Sequence, residues 1–173
     1  MHDNRNIVLI GMPWSGKSTV GVLLAKELSR PFVDTDVVIQ AGEGRRLQAI
    51  IDSRGVEALR AVEERYVLAM DLRGHVVATG GSLVYSAPAM PHLKEHGCCV
   101  YLRLPLDALE ARATRVDTRG LVRAPGQSLH DLYEERAPLY ERYADVAVDC
   151  AECTHEQVVG KVADSIAKRA NEA

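Results

Sequence analysis

Apolar positions along this 173-residue chain follow two alternating patterns. Short runs that are apolar at nearly every position, bounded by Gly, Pro or Asp, mark strands buried on both faces. Asn6–Ile10 is the first, closing at Gly11; residues 32–33, 75–78, 98–104 and Val146–Asp149 follow. Between them, apolar residues recur every three to four positions, the spacing of one helix face. Val20, Leu23, Leu24 and Leu28 predict a helix over 17–29, stopped by Pro31. Further helices are predicted over 46–52, over 56–73 after the break at Gly55, within 87–95, and over 106–113 and 129–143. The last covers 156–170, with Val158, Val159, Val162 and Ile166 on one face. Strands alternating with helices imply parallel pairing through crossovers. The expected fold class is therefore α/β: a three-layer sandwich with an open parallel sheet flanked by helices. No repeat or linker divides the chain, so 1–173 is expected to be a single domain.

Sheets of this kind bind ligands at the carboxyl ends of their strands. That rule directs attention to loops 11–18, 34–36 and 79–82. Composition narrows the partners. Hydrophobic residues make up 47% and charged residues 26%, as in a folded globular chain. The 21 Lys and Arg against 24 Asp and Glu, formally −3, give no basic excess for nucleic acid or a membrane surface. No apolar run approaches the ~20 residues that span a bilayer. The stretch from Met1 to Asn6 leads into only a short apolar run, unlike a signal peptide, so the expected location is cytoplasmic. Cys150 and Cys153, with His155 close by, make half a zinc motif without a second half. Cys98 and Cys99 read as small apolar residues of a buried strand.

The strongest chemical signal is Gly11-Met-Pro-Trp-Ser-Gly16-Lys17-Ser18, which fits G-x-x-x-x-G-K-[ST] in full. A buried strand enters it and an amphipathic helix leaves it, the context a phosphate loop requires. Glycines let successive N–H groups turn inward, and the helix N-terminus adds partial positive charge. Gly11, Trp14, Ser15, Gly16, Lys17, Ser18 and Thr19 are thus candidates to hold a nucleoside triphosphate. Lys17 would reach the β- and γ-phosphates, and Ser18 would ligate Mg²⁺. The chain has no Asn-Lys-x-Asp guanine signature and none of the marks of a ring-forming motor. A small-molecule kinase remains.

Asp34 and Asp36 flank Thr35 at the end of the second strand. On an extended segment both carboxylates point the same way, one toward Mg²⁺ and one toward an acceptor hydroxyl. The ordinary alternative is a helix N-cap ahead of Val37, Val38 and Ile39. After a phosphate loop, the functional reading gains weight.

With these residues in place, the chain resembles the shikimate kinase family, of the nucleoside monophosphate kinase-like fold. The resemblance rests on residues 11–19, Asp34-Thr35-Asp36, Gly55 to Arg60, Ala78 to Gly81, Thr118-Arg119, and Glu135 to Tyr140. It implies a P-loop kinase with a mobile lid, about residues 112–127, acting on ATP, Mg²⁺ and a small hydroxy acid. By the same resemblance, Lys17, Asp36 and Arg119 are catalytic, with Asp36 orienting or deprotonating the attacking hydroxyl and Arg119 closing from the lid. Arg60 and Arg136 would clamp the acceptor carboxylate, and Gly80 and Gly81 would offer backbone N–H groups beside it. Arg112 would stack on adenine, with Arg115 near enough to substitute, and Asp34 with Ser18 would hold the metal. Arg60 has an ordinary alternative, pairing with Glu57, Glu63 or Glu64 on its own helix. Segment 114–127, with Arg115, Arg119, Arg123, Gly120, Pro125 and Gly126, is cationic and hinge-rich, as suits a loop that shuts over phosphates.

Four positions depart from the family pattern. Ser82 stands where a third glycine is usual, and its hydroxymethyl could crowd a ring or hydrogen-bond another acceptor. Leu59 and Ile51 occupy positions where aromatics commonly flank the ring. Trp14 replaces a loop glycine, and Gly120 follows the lid arginine where proline is common. The first reading is ATP-dependent phosphorylation of the 3-hydroxyl of shikimate by a monomer. The alternatives are another hydroxy acid, such as homoserine or gluconate, or a nucleotide-binding module without catalysis.

Overall fold

The computed structural model describes residues 4–113, 123 and 126–172. Strand β1 (Asn6–Ile10) is buried at every residue, which is why its sequence lacks alternation. It leads through the phosphate loop into helix α1 (Lys17–Glu27), and then come β2 (Phe32–Asp34), α2 (Thr35–Glu43), α3 (Leu47–Arg54) and α4 (Val56–Leu68). Strand β3 (Val76–Ala78) ends at residues 79–82, which enter a 3₁₀ turn (Leu83–Tyr85). The chain continues as α5 (Ala89–Glu95), β4 (Gly97–Arg103), α6 (Leu106–Ala113), α7 (Leu129–Tyr143), β5 (Val146–Asp149) and α8 (His155–Glu172).

All strand pairs are parallel, in the order β2-β3-β1-β4-β5. Helices α1 and α8 pack on one another and on the sheet, and α5 and α7 pack on β4. The main core joins Val8, Leu9, Val77, Cys99, Val100 and Leu102 of the strands to Leu24, Leu93, Leu132, Tyr140 and Val162 of the helices. Cys98 and Cys99 are buried strand residues of β4. Among the described residues no helix is long and apolar enough to cross a membrane.

Register decides where the site forms. Ala78 of β3 pairs with Leu9 on one side and Asp34 on the other. The phosphate loop, Asp34 and the residues after Ala78 therefore leave the sheet at one level.

A second, smaller core lies beside that edge, where α2, α3 and α4 enclose Ile39, Ile50, Leu59 and Val62. Helix α2 departs from the sequence expectation, which carried an extended chain through Asp36. Its β-branched Val37, Val38 and Ile39 mimic a strand locally. Burial of Ile39 and the Asp34 cap, which accepts from Asp36 N at 3.0 Å and Val37 N at 3.4 Å, decide for helix. Helix α4 stops at Leu68 rather than running to 73. The following chain is held to β1 instead, with Asn6 Nδ2 donating to the Leu72 carbonyl at 2.7 Å.

Candidate active site

The phosphate loop has the backbone its motif demands. Gly11, at φ +146°, has room for no side chain, because a Cβ would meet the Leu102 carbonyl at 2.9 Å. Trp14 holds a left-handed conformation, φ 63°, and its carbonyl accepts from Arg112 Nη1 at 3.0 Å. Lys17 folds along the loop, donating to the carbonyls of Gly11 at 2.9 Å and Met12 at 2.8 Å. Burial lowers its pKa to about 8, while Asp36 and Asp34 pull it back up and Arg136 pushes it further down. Lys17, Asp36, Asp34 and Arg136, drawn from separate elements, thus share one electrostatic environment.

Ser18 Oγ donates to Asp34 Oδ2 at 2.6 Å, while Asp34 Oδ1 caps α2. The helix-cap reading of Asp34 is therefore realised, with its second carboxylate oxygen on Ser18. Asp36 does not share an extended segment with it, as expected, but lies in the first turn of α2. Burial, reinforced by Asp34 and opposed by Lys17, raises the Asp36 pKa to about 6. Among the described residues its buried Oδ1 has no hydrogen-bond partner. A buried acceptor in that condition is costly unless a ligand supplies the donor.

Opposite Asp36, α4, α7 and the loop after β3 complete a cleft of about 310 Å³. It is lined by Lys17, Asp36, Glu63, Gly80, Gly81, Ser82 and Arg136, with Leu47 as an aliphatic wall. Arg136 is only 1% exposed, its Nε donating to the Tyr85 hydroxyl at 3.1 Å. The Arg60 guanidinium carbon stands 4.1 Å from the Tyr85 ring centroid and that of Arg136 5.1 Å, so one aromatic gathers both cations. Arg60 pairs with Glu57 at 3.0 Å, and its buried Nε has no partner among the described residues.

Gly80 and Gly81 lie in the cleft, yet the Gly80 N–H, expected to face the acceptor, donates to Thr35 Oγ1 at 3.0 Å. Gly80 matters through its missing side chain. A Cβ there would sit 2.5 Å from Glu63 Oε1 and 2.7 Å from Asp36 Oδ1. Ser82 is buried and donates to Glu63 Oε2. Leu59 and Ile51, expected beside the acceptor, belong to the second core.

On the other side of the loop, Trp14, Gly16, Thr19 and Arg112 line a cavity of about 480 Å³ with Cys153, Thr154, His155 and Glu156. The Arg112 contact with Trp14 puts its guanidinium at this wall. Arg119, Arg115 and most of the expected lid fall outside the described residues.

Sequence reasoning missed Glu63, Thr35, Leu47, Tyr85 and His155 as site residues. Only Glu63 carried a usable signal, standing one helical turn from Arg60 on the same face.

The family model "Shikimate kinase" matches residues 13–167. A shikimate kinase of Pseudoalteromonas atlantica is 39% identical over 175 residues, covering 99% of this chain and 100% of the relative. The structure of an Acinetobacter baumannii shikimate kinase in complex with shikimate superposes with a TM-score of 0.86 at 30% identity, covering 96% of this chain and 94% of that one. A thymidylate kinase of Candida albicans shares the fold alone, with a TM-score of 0.63 at 14% identity over 99% of this chain and 94% of its own.

Proposed function

The chain belongs to the shikimate kinase family, ATP-dependent phosphotransferases acting on a hydroxyl group, and on that footing we propose that it transfers the γ-phosphoryl of ATP to the 3-hydroxyl of shikimate. The observation that carries this reading is the buried Asp36 Oδ1, without a hydrogen-bond partner among the described residues, in a cleft that also holds Arg136. Such a cleft offers an anion to a hydroxyl and a cation to a carboxylate. A small hydroxy acid presents both groups.

Arg136, with Arg60 beside it on Tyr85, binds the acceptor carboxylate. Asp36 takes a hydrogen bond from the attacking hydroxyl and receives its proton as the oxygen–phosphorus bond forms and the bond to the β-phosphate oxygen breaks. Its pKa of about 6 leaves it ionised at neutral pH yet basic enough for that role. Lys17 balances charge on the β- and γ-phosphates, for which it exchanges the loop carbonyls it now touches. Ser18 Oγ and Asp34 Oδ2 are hard oxygen donors 2.6 Å apart at the mouth of the loop, which suits Mg²⁺. There Mg²⁺ would neutralise phosphate charge. Arg119 is assigned to the phosphoryl group from the lid, where water exclusion prevents hydrolysis.

An ADP-release assay with Mg-ATP and shikimate, quinate, homoserine or gluconate, plus a control without acceptor, tests the reading. Turnover well above the control on shikimate supports it. Turnover on another acid with shikimate silent overturns it, as does release independent of any acceptor.

A further inference from the structure

Ser82 replaces a glycine of the family pattern, and its hydroxyl is turned onto Glu63 rather than into the cleft. Both residues are buried, Ser82 at 2% and Glu63 at 3% exposure, so this contact is shielded from water. Ser82 engages Oε2, which leaves Oε1 pointing at the space over Gly80. Asp36 Oδ1 points at the same space from α2. The missing side chain of Gly80 is what lets both oxygens pack there. Two carboxylate oxygens from different helices therefore converge on Gly80, at an edge of the cleft that Asp36, Glu63 and Gly80 line together.

We propose that Ser82 is a positioning residue for acceptor recognition: it holds Glu63 so that Glu63 Oε1 and Asp36 Oδ1 together read neighbouring hydroxyls of the acceptor. This rests on the hydroxy-acid reading above and deepens it, because a monohydroxy acid engages only one of the two oxygens. A side chain as flexible as glutamate loses several rotamers in that arrangement, and the serine hydroxyl fixes one of them.

The charges around Glu63 make the role measurable. Asp36 faces it from α2, Arg136 from α7 and Arg60 from the preceding turn of α4, with Tyr85 of the 3₁₀ turn beside both guanidiniums. Burial raises the Glu63 pKa to about 7; the Ser82 hydrogen bond is the largest influence lowering it, Asp36 raises it, and Arg136 and Arg60 lower it. Loss of the hydroxyl therefore moves Glu63 titration upward. As pH falls, Glu63 gains a proton and ceases to accept from both Ser82 and the acceptor.

Steady-state kinetics from pH 5.5 to 9 with wild type, Ser82→Ala and Ser82→Thr test this. The expected result for Ser82→Ala is a roughly tenfold rise in shikimate KM, as for loss of a hydrogen bond to a charged group, with kcat and the ATP KM within about twofold. The acid limb of kcat/KM for shikimate moves to higher pH, and Ser82→Thr, which keeps the hydroxyl, restores both. An unchanged acid limb and shikimate KM in Ser82→Ala overturn the proposal, and so does an equal rise in both KM values. Carboxyl ¹³C NMR of glutamate-labelled protein, with Glu63→Gln to identify the resonance, reads the same coupling without an acceptor. A Glu63 titration unmoved in Ser82→Ala, or in Ser82→Gly should the alanine variant not fold, overturns the proposal. If shikimate is not a substrate the function reading fails by itself, and the NMR titration still decides whether Ser82 governs Glu63.

Discussion

On the phosphate side of the cleft, recognition is built into one continuous stretch of backbone, residues 11–18, whereas the acceptor side is assembled from α2, α4, α7 and the loop after β3. The first needs little more than glycine at Gly11 and Gly16 and the start of α1, because N–H groups and a helix end suffice for phosphate. The second places ionisable side chains in the interior. Arg136 and Glu63 are almost fully buried, and Asp36 and Glu63 are pushed to about 6 and about 7 by that burial. A phosphate group is the same in every nucleotide, so a local, repeatable loop serves it. A particular hydroxy acid must be told from its relatives, and groups that lose affinity when left unpaired do this best. The cost is a cluster of charges that balance only as a set.

Substitutions on each side separate the two roles. Lys17→Ala has the largest expected effect, a loss in kcat of about a thousandfold or more, since transfer depends on charge neutralisation at the phosphates. Unchanged kcat would remove Lys17 from the site. Asp36→Asn is expected to lower kcat about a hundredfold, the scale of a lost general base, with the ATP KM nearly unmoved. Equal losses in both quantities would move Asp36 out of its acceptor role. Arg136→Ala takes a buried counter-charge from Glu63 and removes the carboxylate partner. A rise of about thirtyfold or more in acceptor KM is expected, against less than twofold for ATP, as for truncating a buried charge pair. A parallel rise for ATP would collapse the distinction between the two sides. Gly80→Ala forces a Cβ to within 2.5 Å of Glu63 Oε1 and is expected to raise acceptor KM about tenfold by overpacking.

The smallest expected effect is on pH dependence. At saturating acceptor, kcat should fall below about pH 6, as Asp36 takes up a proton, and above about pH 8, as Lys17 loses one. The acid limb of kcat should vanish in Asp36→Asn while the alkaline limb stays; persistence of both would assign them to other groups.

These two sides also differed in how plainly the sequence announced them. The phosphate loop is contiguous, so its residues, its strand and its helix all follow from local pattern. The five strands were legible for the same reason, each being a short apolar run between turn residues. Helix α2 was not, because a run of β-branched residues after Asp34 has strand character until Ile39 finds the second core. Asp36 was singled out from a mistaken geometry, as a residue of an extended segment, whereas it lies in the first turn of α2. Arg60 and Arg136 were reached through family resemblance alone; nothing local brings positions so far apart onto Tyr85. Glu63 was noticed only as an ion-pair partner for Arg60, whereas Glu57 takes that place and Ser82 claims Glu63. Leu59 and Ile51 show the reverse limit, since Leu59 adjoins Arg60 and Ile51 lies in the helix before it, yet their side chains belong to the second core.

Phosphorus-31 NMR of a reaction containing wild-type protein, Mg-ATP and shikimate tests phosphoryl transfer most directly. The expected spectrum contains one new phosphomonoester, coupled to the ring proton at carbon 3 and equal in amount to the ADP formed. Inorganic phosphate as the sole product, or an ester at another carbon, would contradict the assignment of Asp36 and the paired arginines to the acceptor.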